Sequence, residues 1–168
     1  MIKDYLKYVY LFIGLVLLQV FVLNNIYWLG YVNPQVYILF LLLLPFEISG
    51  VTLLVLSFFL GLMIDIPSNT LGVHISATLL VGFIRPTVLR LISSRDVYEK
   101  GSLPRIKYYG VAWFMKYCFI ITFIYTLYLY ILESLSFVHL FEVILHSLVT
   151  TVVTVSVMVL SQFLFIKE

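Results

Sequence analysis

The chain has 168 residues, 63% of them hydrophobic, 17% aromatic and 11% charged, with a formal net charge of +2. An ordinary soluble domain is about half apolar and a quarter charged, so this chain lacks the polar surface to cover a water-facing fold. The composition points to a membrane protein. At ~20 apolar residues per crossing of a ~30 Å hydrocarbon core, the length admits about six helices and no separate soluble catalytic domain. The single cysteine, Cys118, sits in an apolar run and cannot close an intrachain disulfide.

The first apolar run, residues 8–29, follows Lys3 and Lys7 and has Tyr5, Tyr8 and Tyr10 at one end and Tyr27, Trp28 and Tyr31 at the other. Such aromatics suit the two headgroup levels, which predicts a transmembrane helix. No small-x-small site follows it, so it does not read as a cleaved signal peptide. The second run, residues 36–64, carries one charge, Glu47, and is longer than one span requires. Proline removes a backbone donor and disfavours helix before it, so Leu44-Pro45-Phe46-Glu47 predicts a turn between two helices, 34–46 and 48–65. Residues 34–44 make only about 16 Å of helix, and the pair is expected to be short, broken or tilted. Residues 71–92 end in a basic cluster. Residues 111–132 are bracketed by Tyr108, Tyr109 and Trp113 and by Tyr125, Tyr128 and Tyr130. Residues 140–166 form the last run.

Charge placement sets the count of crossings. Arg85, Arg90, Arg95, Lys100, Arg105, Lys107 and Lys116 surround the loop 93–110, while Lys3 and Lys7 mark the N-terminus. The positive-inside rule puts both on the cytoplasmic side. An even number of crossings then separates them, and residues 36–64 supply two, as a helical hairpin, or none, as a re-entrant segment. The hairpin is preferred. It predicts one all-α membrane domain, a six-transmembrane-helix bundle with both termini cytoplasmic. All ten Lys and Arg then lie inside, with Asp65, Glu133, Glu142 and the three histidines outside.

Charges within spans are candidate sites by default, because a charge in hydrocarbon is costly. Arg90 and Lys116 lie close enough to the inner boundary for their side chains to reach the headgroups. Arg85 lies deeper and precedes Pro86, so a structural or functional pairing inside the bundle stands level with snorkelling to the headgroups. Asp65 stands before the turn-forming Pro67-Ser68-Asn69-Thr70-Leu71-Gly72, where a carboxylate can cap the next helix. His139, Glu142 and His146 share one face at the outer end of the last helix. That spacing can bind zinc, but without a third histidine in a metalloenzyme motif it better suits a wet vestibule or hydrogen bonds across helices, and no metal or other cofactor is expected. Ser147, Thr150, Thr151, Thr154 and Ser161 extend the stripe with residues that let helices approach. Ser57 with Gly61 and Gly72 with Ser76 give small-xxx-small spacing. Phosphate-loop, His-Glu-x-x-His and Gly-x-Ser-x-Gly signatures are absent from the sequence, so an enzyme is not expected. The cations of loop 93–110 fit topology and anionic lipid better than nucleic acid.

The run Phe58-Phe59-Leu60-Gly61-Leu62-Met63-Ile64-Asp65, followed by Leu71-Gly72 and a helix carrying Arg85, resembles the Gly-Leu-x-x-Asp…Leu-Gly pattern of the MreD family of rod shape-determining membrane proteins. The leucine run 41–44 before Pro45 is also similar. The resemblance implies a non-enzymatic scaffold of the bacterial cell-elongation complex in the inner membrane, coordinating lateral peptidoglycan synthesis. Its implied partner is an MreC-like bitopic protein, and through it the MreB filament and the peptidoglycan glycosyltransferase and transpeptidase. Gly61, Asp65, Gly72 and Arg85, with Glu47 beside Pro45, become the candidate structural or partner-contacting positions, and His139, Glu142 and His146 a candidate outer polar face. Loop 93–110 and that outer face depart from the family pattern. The family is also thought to share its fold with the substrate-binding subunits of energy-coupling-factor vitamin transporters. An alternative function is therefore a ligand site among Asp65, His74, Glu142 and His146.

Overall fold

A backbone in hydrocarbon must satisfy its hydrogen bonds within itself, so uncharged runs of this length become helices. The computed structural model describes residues 2–26, 32–70, 72–92, 103–134 and 140–165. They form α1 (Ile2–Phe21), α2 (Leu39–Leu43), α3 (Gly50–Ser68), α4 (Val73–Ile92), α5 (Ile106–Ser134) and α6 (Leu140–Phe165), with no β-strand among the described residues. All but α2 are long and apolar enough to cross a membrane, which makes five such helices. Tyr27, Trp28 and Tyr31, expected at a headgroup level, as well as Leu71, loop residues 93–102 and His139, lie outside the described residues.

The helix expected over 34–46 contracts to a 3-10 turn, Val36–Ile38, and the five residues of α2. This stretch is as apolar as the others but is enclosed by protein: Tyr37, Ile38, Leu41 and Leu42 are fully buried. Its course can be read from its contacts. Tyr37 meets His74 near the start of α4, and the Leu44 and Pro45 carbonyls meet Arg85 further along the same helix. His74 and Arg85 stand about 16 Å apart along a helix axis. Residues 37–45 therefore run beside α4 between those two levels, and Ser49, which accepts from the Thr52 N–H, starts α3 in the return direction.

Two ends of the bundle follow. At one, Asn24 after α1 donates to Ser68 at the end of α3 at 3.2 Å. At the other lie Arg85 and the start of α5. The helix directions put Lys7, Arg90, Arg105, Lys107 and Lys116 in the half with Arg85, and Glu133, Glu142 and His146 in the half with Asp65.

Helices α3 and α4 pack closely through two matched stripes. A Cβ on Gly61 would come within 2.5 Å of the Ile75 Cα and of Thr78 Oγ1, so only glycine permits this approach. One turn away, Ser57 Oγ occupies the space a side chain at Gly82 would take, and Thr78 donates across to the Ser57 carbonyl at 2.9 Å. The small pair read as Gly72 with Ser76 does not pack in this way. Gly72 has open space around it and a φ of +85°, which marks a turn glycine, and Ser76 bonds back to Val73. Helix α5 breaks at Gly110, whose φ of 80° and ψ of 166° separate the turn from Ile106 from the long apolar helix that follows.

Candidate functional site

The polar groups of the sequence gather in the interior at two levels. At the first, Asp65, in the last turn of α3, caps the start of α4. It projects from α3 four residues after Gly61, on the same face toward α4. Oδ1 accepts from the His74 N–H at 3.0 Å and from the Thr70 hydroxyl at 2.6 Å, and Oδ2 accepts from the Ile75 N–H at 2.9 Å. The first amides of a helix lack intrahelical partners and carry its positive dipole end, so a carboxylate placed there is satisfied without a counter-ion. The turn that makes this possible needs left-handed backbone at Asn69 (φ 56°) and Gly72, types that tolerate it.

Directly behind, His74 Nδ1 lies 3.0 Å from the Tyr37 hydroxyl and 3.1 Å from that of Tyr125, and the two hydroxyls bond to each other. All three side chains are buried. They fasten residues 36–38, α4 and α5 at one point.

At the second level Arg85 is 1% exposed. Its Nη2 donates to the Leu44 carbonyl, both terminal nitrogens reach the Pro45 carbonyl at 3.4 Å, and Nε donates to the Tyr117 hydroxyl at 2.9 Å. Tyr117 in turn donates to the Leu42 carbonyl at 3.2 Å. The cause is local: Pro45 stops α2, leaving its last carbonyls without amide partners at the negative end of the helix dipole, and a buried cation completes them.

The irregular backbone leading into α2 is held from the other side. Fully buried Gln19 of α1 accepts from the Val36 N–H at 3.0 Å and donates to the Pro34 carbonyl at 3.0 Å and to Asn24 at 2.9 Å. Thr154 of α6 accepts from the Gln35 N–H at 3.1 Å. Between α5 and α6, Thr126 bonds Thr151 at 2.8 Å and Tyr130 bonds Thr150 at 2.9 Å. Ser147, Thr150, Thr151 and Thr154 are all buried on this seam.

The structure thus brings Gly61, Asp65 and Gly72 together at one helical hairpin and places Arg85 at the opposite level of α4. Glu47 is exposed in the turn after Pro45, Glu142 is exposed on the first turn of α6, and His146 is half-buried. Among the described residues, no group of three or more His, Cys, Asp or Glu side chains is placed to hold a metal ion. Tyr125, read from sequence as a headgroup aromatic, is fully buried and bonded. Sequence reasoning gave no role to Gln19, Tyr37 or Tyr117. A glutamine inside an otherwise apolar span was the available signal for the first. The tyrosines carried none, because interfacial and buried phenols look alike in sequence.

Compared with protein-family models, curated proteins and solved structures, the chain matches none.

Proposed function

We propose that this chain is a non-enzymatic scaffold of a bacterial cell-elongation complex, of the MreD type. On this reading it lies in the inner membrane with both termini cytoplasmic. The largely buried stretch 32–44 is the second traverse of a six-traverse bundle, enclosed by the five long helices. Its partners are an MreC-like membrane protein and, through it, the MreB filament and the peptidoglycan synthases. Anionic lipid meets the basic loop 93–110.

The observation that carries the reading is how the two charged motif residues are used. The oxygens of Asp65 and the nitrogens of Arg85 are taken up by the chain's own backbone and by Thr70 and Tyr117. The residues that carry the resemblance are thereby spent on making a rigid interior, and rigid bundles act through their outer helix faces and loops. A transported ligand among Asp65 and His74 would have to displace these bonds.

Co-purification from cells of a tagged chain tests the proposal. Bulky substitutions along the exposed stripe Leu6, Ile13 and Leu17 of α1 or Val51, Val55 and Phe59 of α3 should release an elongation-complex partner from a stably inserted protein. Unchanged recovery of that partner from every such face, or recovery of an ATPase pair in its place, would count against the scaffold reading.

A further inference from the structure

The half of the bundle that holds Arg85 carries an open groove of about 1050 Å³ between the end of α4, the first half of α5 and α6. Its walls are apolar, from Leu91 and Ile92 on one side to Ala112, Met115, Phe119 and Ile120 on the other, with buried Val155 as the floor. Trp113 also lines it, and its ring is held by stacking on Tyr117 and by contact with Tyr109 and Phe46. Lys116 is the one charged side chain among the described residues that line this groove.

Lys116 is exposed and follows the Gly110 break by about 9 Å of helix, so its ammonium emerges on the side of α5 and not at the helix end. An ammonium there needs either the headgroup level or an anion. Arg90, exposed on the last turn of α4, and Lys107, exposed before the break, add positive charge at the same end of the bundle. Apolar walls open to the membrane with a cation at the rim match one chemistry: acyl chains carrying a negatively charged headgroup.

We propose that this groove is a binding site for an anionic phospholipid, with its acyl chains against Ala112, Met115, Phe119 and Ile120 and its phosphate at Lys116. The site belongs to the helices and is separate from any attraction of lipid to loop 93–110. A headgroup at Lys116 would bridge α4 and α5 where α2 is anchored between them.

The chain has two tryptophans, Trp28 and Trp113, so a Trp28→Phe background leaves one reporter in the groove. The purified full chain is reconstituted in phosphatidylcholine vesicles containing either brominated phosphatidylglycerol or brominated phosphatidylcholine, and Trp113 quenching is measured. Quenching by the anionic lipid is expected to set in at about fivefold lower mole fraction, the advantage one lysine gives near an anionic headgroup. Lys116→Gln on this exposed position should equalise the two lipids, and Ala112→Phe, which fills the groove, should reduce the preference with Lys116 intact. Equal quenching in the starting protein, or a preference that survives Lys116→Gln and follows Arg95→Gln with Lys100→Gln instead, would overturn the proposal. Relief of quenching by inorganic phosphate would also overturn it, by assigning the cation to a free anion.

Discussion

The Arg85 guanidinium donates to the Leu44 carbonyl from another helix, 41 residues along the chain, and so closes the carbonyl end of a helix that Pro45 cuts short. Removing the donor leaves the buried Leu44 carbonyl unpaired, a loss worth about 1–3 kcal/mol, while the Pro45 carbonyl keeps the Ile48 N–H. Arg85→Met should therefore destabilise the bundle by about 1–3 kcal/mol. Arg85→Lys should recover only part of this, because an ammonium cannot span two carbonyls and a phenol at once. Tyr117→Phe, which removes the acceptor of the buried guanidinium, should lose about 1.5–3 kcal/mol. Reversible unfolding in mixed dodecyl maltoside and SDS micelles measures all three, and equal stability of Arg85→Met and the starting protein would refute the capping role.

Asp65 performs the complementary task at the start of α4. Asp65→Ala should cost about 0.5–2 kcal/mol, the usual worth of an N-cap. Asp65→Asn should fall between, since one carbonyl oxygen remains to accept. The same unfolding titration ranks them, and an Asn variant weaker than Ala would show that the carboxylate is not acting as a cap.

Glycine positions separate packing from tolerance. A methyl at Gly61 meets the backbone of α4, so Gly61→Ala should destabilise by about 1–3 kcal/mol. Gly14 on α1 has nothing within 4 Å of its added Cβ. Gly14→Ala should be neutral or stabilise by up to ~1 kcal/mol through helix propensity. Thermal inactivation in detergent, followed by loss of the monodisperse peak, distinguishes the two.

Gln19 holds the entry to α2 through the Val36 amide and the Pro34 carbonyl. Gln19→Leu keeps the helix apolar but removes both partners. Amide hydrogen exchange at Val36 should accelerate strongly while exchange in the middle of α4 stays slow. Unchanged protection at Val36 would mean another group supports this backbone.

Much of the architecture can be read from residue order. The long helices follow from uncharged runs and the break before α3 from Pro45, while the turn after Asp65 begins later than the proline suggests, at Asn69, because Pro67 and Ser68 stay in the last turn of α3. The enclosure of residues 32–44 is not visible in the same way. A side chain facing lipid and one facing the protein interior are both apolar, so hydropathy cannot distinguish Leu41 from Leu17, although one is fully buried and the other 49% exposed. Only brevity, with too few residues before Pro45 for a crossing, hinted at a different role. The same limit hid the clasp of Tyr37, His74 and Tyr125, whose members are far apart in the chain and individually ordinary for a membrane boundary. Arg85 was readable as a charge open to pairing inside the bundle, but not that the partner would be backbone carbonyls, because helix ends become acceptors only once the fold sets where they stop.

Photo-crosslinking in intact cells from the exposed positions Leu17 of α1 and Val55 of α3, followed by identification of the captured proteins, tests the scaffold role most directly. Capture of an MreC-like bitopic protein, with loss of the adduct when the same face carries a bulky substitution, is the expected result. Capture of an energy-coupling ATPase pair, with no elongation-complex component, would contradict it.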